Sequence, residues 1–317
     1  MKRILIGMIV LLIIGAAVFG VGVFIYKTGN NQIIGEPLTY VDKDFSTQNE
    51  IKEVNLSLSG CHNVILERGE ECSLSYSQSE VANITISDEE GVLKMVEKRD
   101  WKPRLLQWYR KEQKNDLIVT LPENTKISLV CNFSEDVTLT LPQWEFGNIS
   151  LKVSGVANVV SQSTLKGENV TLDISGFCSL DLNGEFSNFD VKTSGAAEMK
   201  INGSAQIFNL KSSGAVDFDS DGFNCPQISL TSSGTSNISL RGEGSLFSAK
   251  VSGYCSFNAG DFNLSTLDLD TSGSVDMTVN VKDIIKSSSS GTVKVNYYGN
   301  PEIVKTGSAN GKFNKIG

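Results

Sequence analysis

The sequence predicts an all-β protein: a single-stranded parallel, right-handed β-helix built of Ser-Gly repeats about 20 residues long, preceded by one transmembrane helix. Three observations predict it. Ser-Gly recurs eight times, from Ser154-Gly155 to Ser290-Gly291, with glycines 21, 19, 19, 20, 19, 20 and 18 residues apart. Apolar residues keep fixed offsets from each glycine. The 317-residue chain holds 29 glycines and 6 prolines at 40% hydrophobic and 20% charged content, which excludes general disorder and favours short strands and tight turns over helical bundles.

The first element in chain order is Ile4 to Tyr26, 23 residues without a charge. At about 1.5 Å per helical residue it spans a hydrocarbon core of about 30 Å, and it outruns the apolar region of a cleaved signal peptide. Lys2 and Arg3 precede it and Lys27 alone follows closely, so the positive-inside bias places residues 1–27 as cytoplasmic start and anchor, with everything after them outside. Residues 28–45 lack periodicity and contain Gly29-Asn30-Asn31, Gly35 and Pro37, as in a tether. Residues 46–317 form the exported body.

Within that body each repeat alternates inward and outward positions. Two residues after the glycines stand Ala157, Cys178, Ala197, Val216, Ser236, Cys255, Val275 and Val293, and four after them Val159 through Val295. The position between is polar, as on a strand with one solvated face. Four before the glycines, Leu151, Leu172, Val191, Leu210, Leu230, Ala249 and Leu269 form a second inward column, with Lys152, Lys192, Lys211 and Lys250 among its outward neighbours. One unit cannot bury these columns alone; stacking at about 4.8 Å aligns them into ladders, with glycine expected at each corner for a positive φ. The leucine-rich-repeat pattern is absent, and a period of 19 to 21 suits a right-handed coil better than a left-handed hexapeptide coil. A sandwich of hairpins is the alternative architecture.

The run Ile51 to Gly60, then Gly91-Val92-Leu93-Lys94-Met95, Asp116 to Pro122, the Ser-Gly repeats and the closing Tyr297-Tyr298-Gly299-Asn300-Pro301 with a last Gly311 carry a family resemblance. The exported part resembles the auto-transporter adhesin head GIN domain family, a domain of unknown function. The resemblance implies a β-helical, surface-exposed domain and supplies no catalytic motif. The segment 98–114 and the anchor depart from the family pattern.

Charge is uneven. The chain is formally −8, yet seven basic residues and two acids lie between Lys98 and Lys114. The acidic body argues against nucleic acid as a partner. In the basic aromatic insertion, Trp101, Leu105, Trp108 and Tyr109 fall on one helical face, with Lys102, Arg104, Arg110 and Lys111 around it. The favoured expectation is a helix covering the open end of the coil; the alternative is contact with an anionic membrane or wall through Trp101, Arg104, Trp108, Arg110 and Lys111.

Chemistry-bearing candidates are few. His62, the single histidine, sits in the inward column and is expected to be packed. The serine column has no accompanying base, and corner hydrogen bonding accounts for it. Cysteines show no zinc spacing; Cys178 and Cys255, four repeats apart, are expected to be buried thiols, and a Cys61–Cys72 bridge stays open. Asp217, Asp219 and Asp221, followed by Gly222, have the alternate spacing of a calcium loop but no twelfth-position glutamate. An outward strand column running into an Asp-Gly corner is the favoured expectation there, with calcium as the alternative. No catalytic residue and no other cofactor is expected.

Two function classes follow. The first is a membrane-anchored, non-catalytic binding or adhesion module presenting polar ladders to cell-wall polysaccharide or a protein ligand. The second is a polysaccharide-acting enzyme using paired carboxylates such as Glu198 and Asp217, by fold analogy. The ectodomain of a membrane-tethered envelope sensor is a further reading.

Overall fold

The computed structural model describes residues 38–99, 114–123, 126–307 and 311–316. Among these described residues there are twenty-two strands and no helix. The expected anchor Ile4 to Tyr26 and the insertion residues Trp101 to Gln113 lie outside them, and no described helix is long and apolar enough to cross a membrane.

The repeats stack as a parallel β-solenoid of about 9 turns. Each turn brings one strand into the Ser-Gly corner and sends another away from it, and each pairs in parallel with its counterpart one repeat on. The column four before the glycine is continuous, Leu151↔Leu172↔Val191↔Leu210↔Leu230↔Ala249↔Leu269. So is the column two after it, His62↔Val137↔Ala157↔Cys178↔Ala197↔Val216↔Ser236↔Cys255↔Val275↔Val293. Every member of both columns is buried, since strand alternation gives each turn the same inward set. Between them a row of phenylalanines fills the interior, with Phe208 5.1 Å from Phe218 and Phe247 stacked at 4.5 Å on Phe257. Burial of such rings dominates core energetics.

The glycine corner is built differently from the expectation. None of the corner glycines Gly155 to Gly291 lies in the left-handed region; Gly203 (φ 107°) and Gly242 (φ 132°) take positive φ at the opposite corner, and Gly307 (φ 101°) takes it where the last coil meets Ser289. At the Ser-Gly corner the constraint is contact between coils. A Cβ on Gly214 would collide with the carbonyl oxygen of Gly195, and a Cβ on Gly195 with that of Gly176. Those carbonyls instead accept hydrogen bonds from the next turn, Ala215 N to Gly195 O at 3.0 Å and Ala196 N to Gly176 O at 2.9 Å. Glycine is therefore selected by stacking distance.

The N-terminal end departs from simple chain order. The first coil, Glu53–Leu58 and His62–Gly69, is flanked on one side by Val92–Arg99 and Asn115–Pro122, and on the other by Ile127–Phe133 and Asp136–Leu141. The coil that comes second in sequence thus lies outside the first, and the chain then crosses over to extend the stack. Antiparallel strands finish this end: Ala82–Glu89 pairs with Val92–Arg99, and Cys72–Ser79 pairs with both Asn115–Pro122 and Tyr40–Thr47. These hairpins give the outer edges backbone partners, as solenoid ends require. The strand Tyr40–Thr47 also takes in the end of the expected tether. Its central residues Val41 to Asp44 are all exposed, so it carries no inward-outward pattern to read and is held by backbone pairing.

A candidate ligand-binding furrow at the Ser-Gly corner

Three consecutive positions build the corner. The third residue before each glycine points outward, the second is buried, and the serine before the glycine is outward again. The outward ladder of the first position runs Asp173↔Lys192↔Lys211↔Thr231↔Lys250↔Asp270↔Ser288. The serine ladder faces it across the buried position. Together they enclose an open furrow of about 670 Å³, walled by Lys192, Lys211 and Lys250 on one side and by Ser194 to Ser290 on the other.

The serines are not all used by the corner. Ser154 and Ser175 donate their hydroxyls to the carbonyls of Phe133 and Val153 at 3.4 Å, as expected of corner bonding. At every corner the serine backbone N–H bonds that carbonyl, for example Ser154 N to Phe133 O and Ser213 N to Thr193 O, both at 2.9 Å, and from Ser194 onward it does so without the hydroxyl. The hydroxyls of Ser194, Ser213, Ser233, Ser252, Ser272 and Ser290 have no partner among the described residues and are exposed. Corner bonding thus explains two of the eight serines, and six face the furrow with hydroxyls unspent.

The other expected sites resolve separately. The acids Asp217 and Asp219 occupy outward positions of one strand, in register with Glu198 and Lys200. Asp221, beyond a register shift, is held by Arg241 at 2.6 Å with Lys200 at 4.0 Å. Among the described residues no group of three acids, histidines or cysteines could hold a metal ion. Alternation spreads these carboxylates along a sheet face, as in the favoured reading of an outward strand column, and Arg241 takes up the charge of Asp221. Glu198 and Asp217 are adjacent, exposed rungs of one ladder.

His62 is packed as expected, 3% exposed, with a partner the sequence did not indicate. Its Nε2 lies 2.9 Å from Oε2 of the buried Glu97, which also accepts the Ser59 amide at 3.1 Å and has Arg99 at 3.5 Å. Burial alone would raise the Glu97 carboxyl, but the hydrogen bond and charge of His62, with Arg99 and Ser59, outweigh it and hold it below the ordinary value. Glu97 stands where later coils place Phe133 or Val153, so this is a polar replacement inside the corner. All six cysteines are thiols, including Cys61 and Cys72. Burial pushes Cys178 and Cys255 up to about 12 and Cys72 and Cys225 up to about 11. The contact residues expected at Trp101, Arg104, Trp108, Arg110 and Lys111 lie outside the described residues.

The family described as "Putative auto-transporter adhesin, head GIN domain" matches residues 54–214 and again 193–301. The chain belongs to this family. The match extends over both the hairpin-capped end and the regular stack of Ser-Gly coils. Among solved structures, a putative adhesin from Parabacteroides merdae is similar at 13% identity, covering 88% of this chain and 97% of its own, with a TM-score of 0.49. A putative adhesin from Parabacteroides distasonis is similar at 12% identity with the same coverages and a TM-score of 0.47. No curated protein matches the chain.

Proposed function

We propose that this head GIN protein is a non-catalytic binding module, displayed outside the cell on a membrane anchor at Ile4 to Tyr26, whose ligand lies along the Ser-Gly furrow. The observation that carries this reading is the row of six exposed serine hydroxyls without partners among the described residues, held at fixed spacing by the stacked coils. A rigid scaffold that presents donors and acceptors at one spacing binds an extended ligand without paying to order its own side chains. Membership of a family described as adhesins supports a surface role. Enzymatic action at Glu198 and Asp217 has weaker support, because both carboxylates are exposed on an outward ladder while acid–base chemistry needs groups set apart by their environments.

A glycan and cell-wall array probed with the full chain in phosphatidylcholine nanodiscs tests the reading. Binding is expected, and Ser213→Phe, which fills the furrow from an exposed position, is expected to abolish it. A silent array, or binding indifferent to Ser213→Phe, would overturn it. New reducing ends released from a bound polysaccharide would favour the enzyme instead.

A further inference from the structure

The lysine wall of the furrow goes beyond a generic polar surface. Some lysines elsewhere on the solenoid are matched with acids, as Lys126 is with Glu168 at 2.5 Å, Lys166 with Glu185 at 3.7 Å and Lys294 with Asp276 at 3.1 Å, while others such as Lys152, Lys282 and Lys286 stand without an acid partner among the described residues but do not line the furrow. Lys192, Lys211 and Lys250 are exposed and form no ion pair or hydrogen bond among the described residues, although the chain has a net charge of −8. Three unmatched cations gathered in one furrow of an acidic protein are the feature to explain. They occupy three of four successive rungs, with Thr231 between Lys211 and Lys250, and Asp173 and Asp270 bound the set at its two ends.

We infer that this furrow binds a linear, hydroxyl-rich polyanion, a polysaccharide or polyol chain with a carboxylate or phosphodiester on its repeating units. This rests on the furrow reading above and names the ligand class. The rungs are about 4.8 Å apart, so the ammonium groups recur at about one and two rungs, on the scale of one and two sugar units. Lysine serves as a compact, mobile cation able to follow such a chain. Across the furrow, Ser194, Ser213, Ser233 and Ser252 offer hydroxyls for the ligand's own hydroxyl groups, and the buried Thr193, which lines the furrow, has a hydroxyl without a partner among the described residues. No aromatic side chain among the described residues lines it, so recognition comes from charge and hydrogen bonds and not from stacking on sugar rings. Asp173 and Asp270 flank the lysines that line the furrow, so the contacted segment covers the four rungs Lys192 to Lys250, roughly 14 Å.

The test is calorimetric titration of the full chain in phosphatidylcholine nanodiscs with four polymers: polygalacturonate, its fully methyl-esterified form, polyglycerol phosphate and single-stranded DNA. The inference expects binding of polygalacturonate or polyglycerol phosphate, and which of the two binds separates the carboxylate from the phosphodiester source. Combining Lys192→Gln, Lys211→Gln and Lys250→Gln should weaken that binding at least about tenfold, the scale of one charge-assisted hydrogen bond. Lys294→Gln, on a different ladder, should leave it unchanged, and added salt should weaken it. Equal affinity for the ester and the acid, indifference to the triple substitution, equal affinity for DNA, or no binding of either anionic polymer would overturn the inference. If the neutral ester binds and Ser213→Phe abolishes that binding, the furrow reading survives while the polyanion falls. Both fall when every polymer or array ligand that binds ignores Ser213→Phe.

Discussion

At the residue scale, the buried polar group with the greatest leverage is Glu97. A carboxyl held below its ordinary value of 4.5 in the fold contributes stability that is present above that value and is lost as pH falls through the lowered folded value. Melting temperature should therefore drop below about pH 4.5, and the drop should shrink in Glu97→Gln. Thermal melts from pH 3 to pH 7 on both proteins check this; parallel curves would show that the His62–Glu97 pair does not couple folding to acid. The thiols give a second expectation. Cys72, Cys131, Cys178, Cys225 and Cys255 are buried, and each is pushed up by burial, whereas Cys61 is only partly buried. Because the thiolate is the reactive form, iodoacetamide should label Cys61 first in the native protein and the other five only after denaturation, as read by mass spectrometry.

At the scale of the element, Ser and Gly of the corner have separate tasks. Gly214 is required because its neighbour's carbonyl occupies the space of a Cβ, while the Ser213 hydroxyl makes no bond among the described residues. Gly214→Ala should destabilise by about 1–3 kcal/mol, the range for overpacking a rigid contact. Ser213→Ala should leave stability within about 0.5 kcal/mol, as for other surface changes. Urea melts of the two variants decide. Equal effects would mean that the serine side chain, and not coil spacing, holds the corner.

At the scale of the whole molecule, stability is shared between neighbouring coils, because each turn buries its apolar columns only against the turns beside it. Leu210 is 1% exposed and pairs with Val191 before it and Leu230 after it. Leu210→Asp places an unpaired charge among these ladders, at a penalty on the order of several kcal/mol, and should loosen the adjoining coils together. Hydrogen exchange should lose protection first in the strands Phe177–Thr193, Ala196–Ser212 and Gln227–Ser232, and later in the hairpin-capped N-terminal coils. A loss confined to the strand carrying the substitution would argue against coupling through the stack.

What was legible in the sequence was whatever repeats at a fixed offset. The columns at Leu172, Leu210 and Leu230, the buried positions of His62, Cys178 and Cys255, and the parallel stacking all follow from strand alternation applied to a period of 19 to 21 residues, which one chain carries without knowing its neighbours. Other features depend on which turn lies beside which, and only the tertiary structure decided them. The corner glycines Gly155 to Gly291 are needed for close approach between coils, not for positive φ. Glu97 meets His62 across 35 residues because the second coil in sequence is laid outside the first. Asp217, Asp219 and Asp221 share a spacing but no common point, because a strand spreads its side chains and Arg241 arrives from the next coil. The unmatched lysines of the furrow belong to the same class: their column was readable as an outward row, but the absence of an acid partner among the described residues is a property of the assembled surface. Periodicity specifies which way each side chain faces; proximity between turns specifies what it faces.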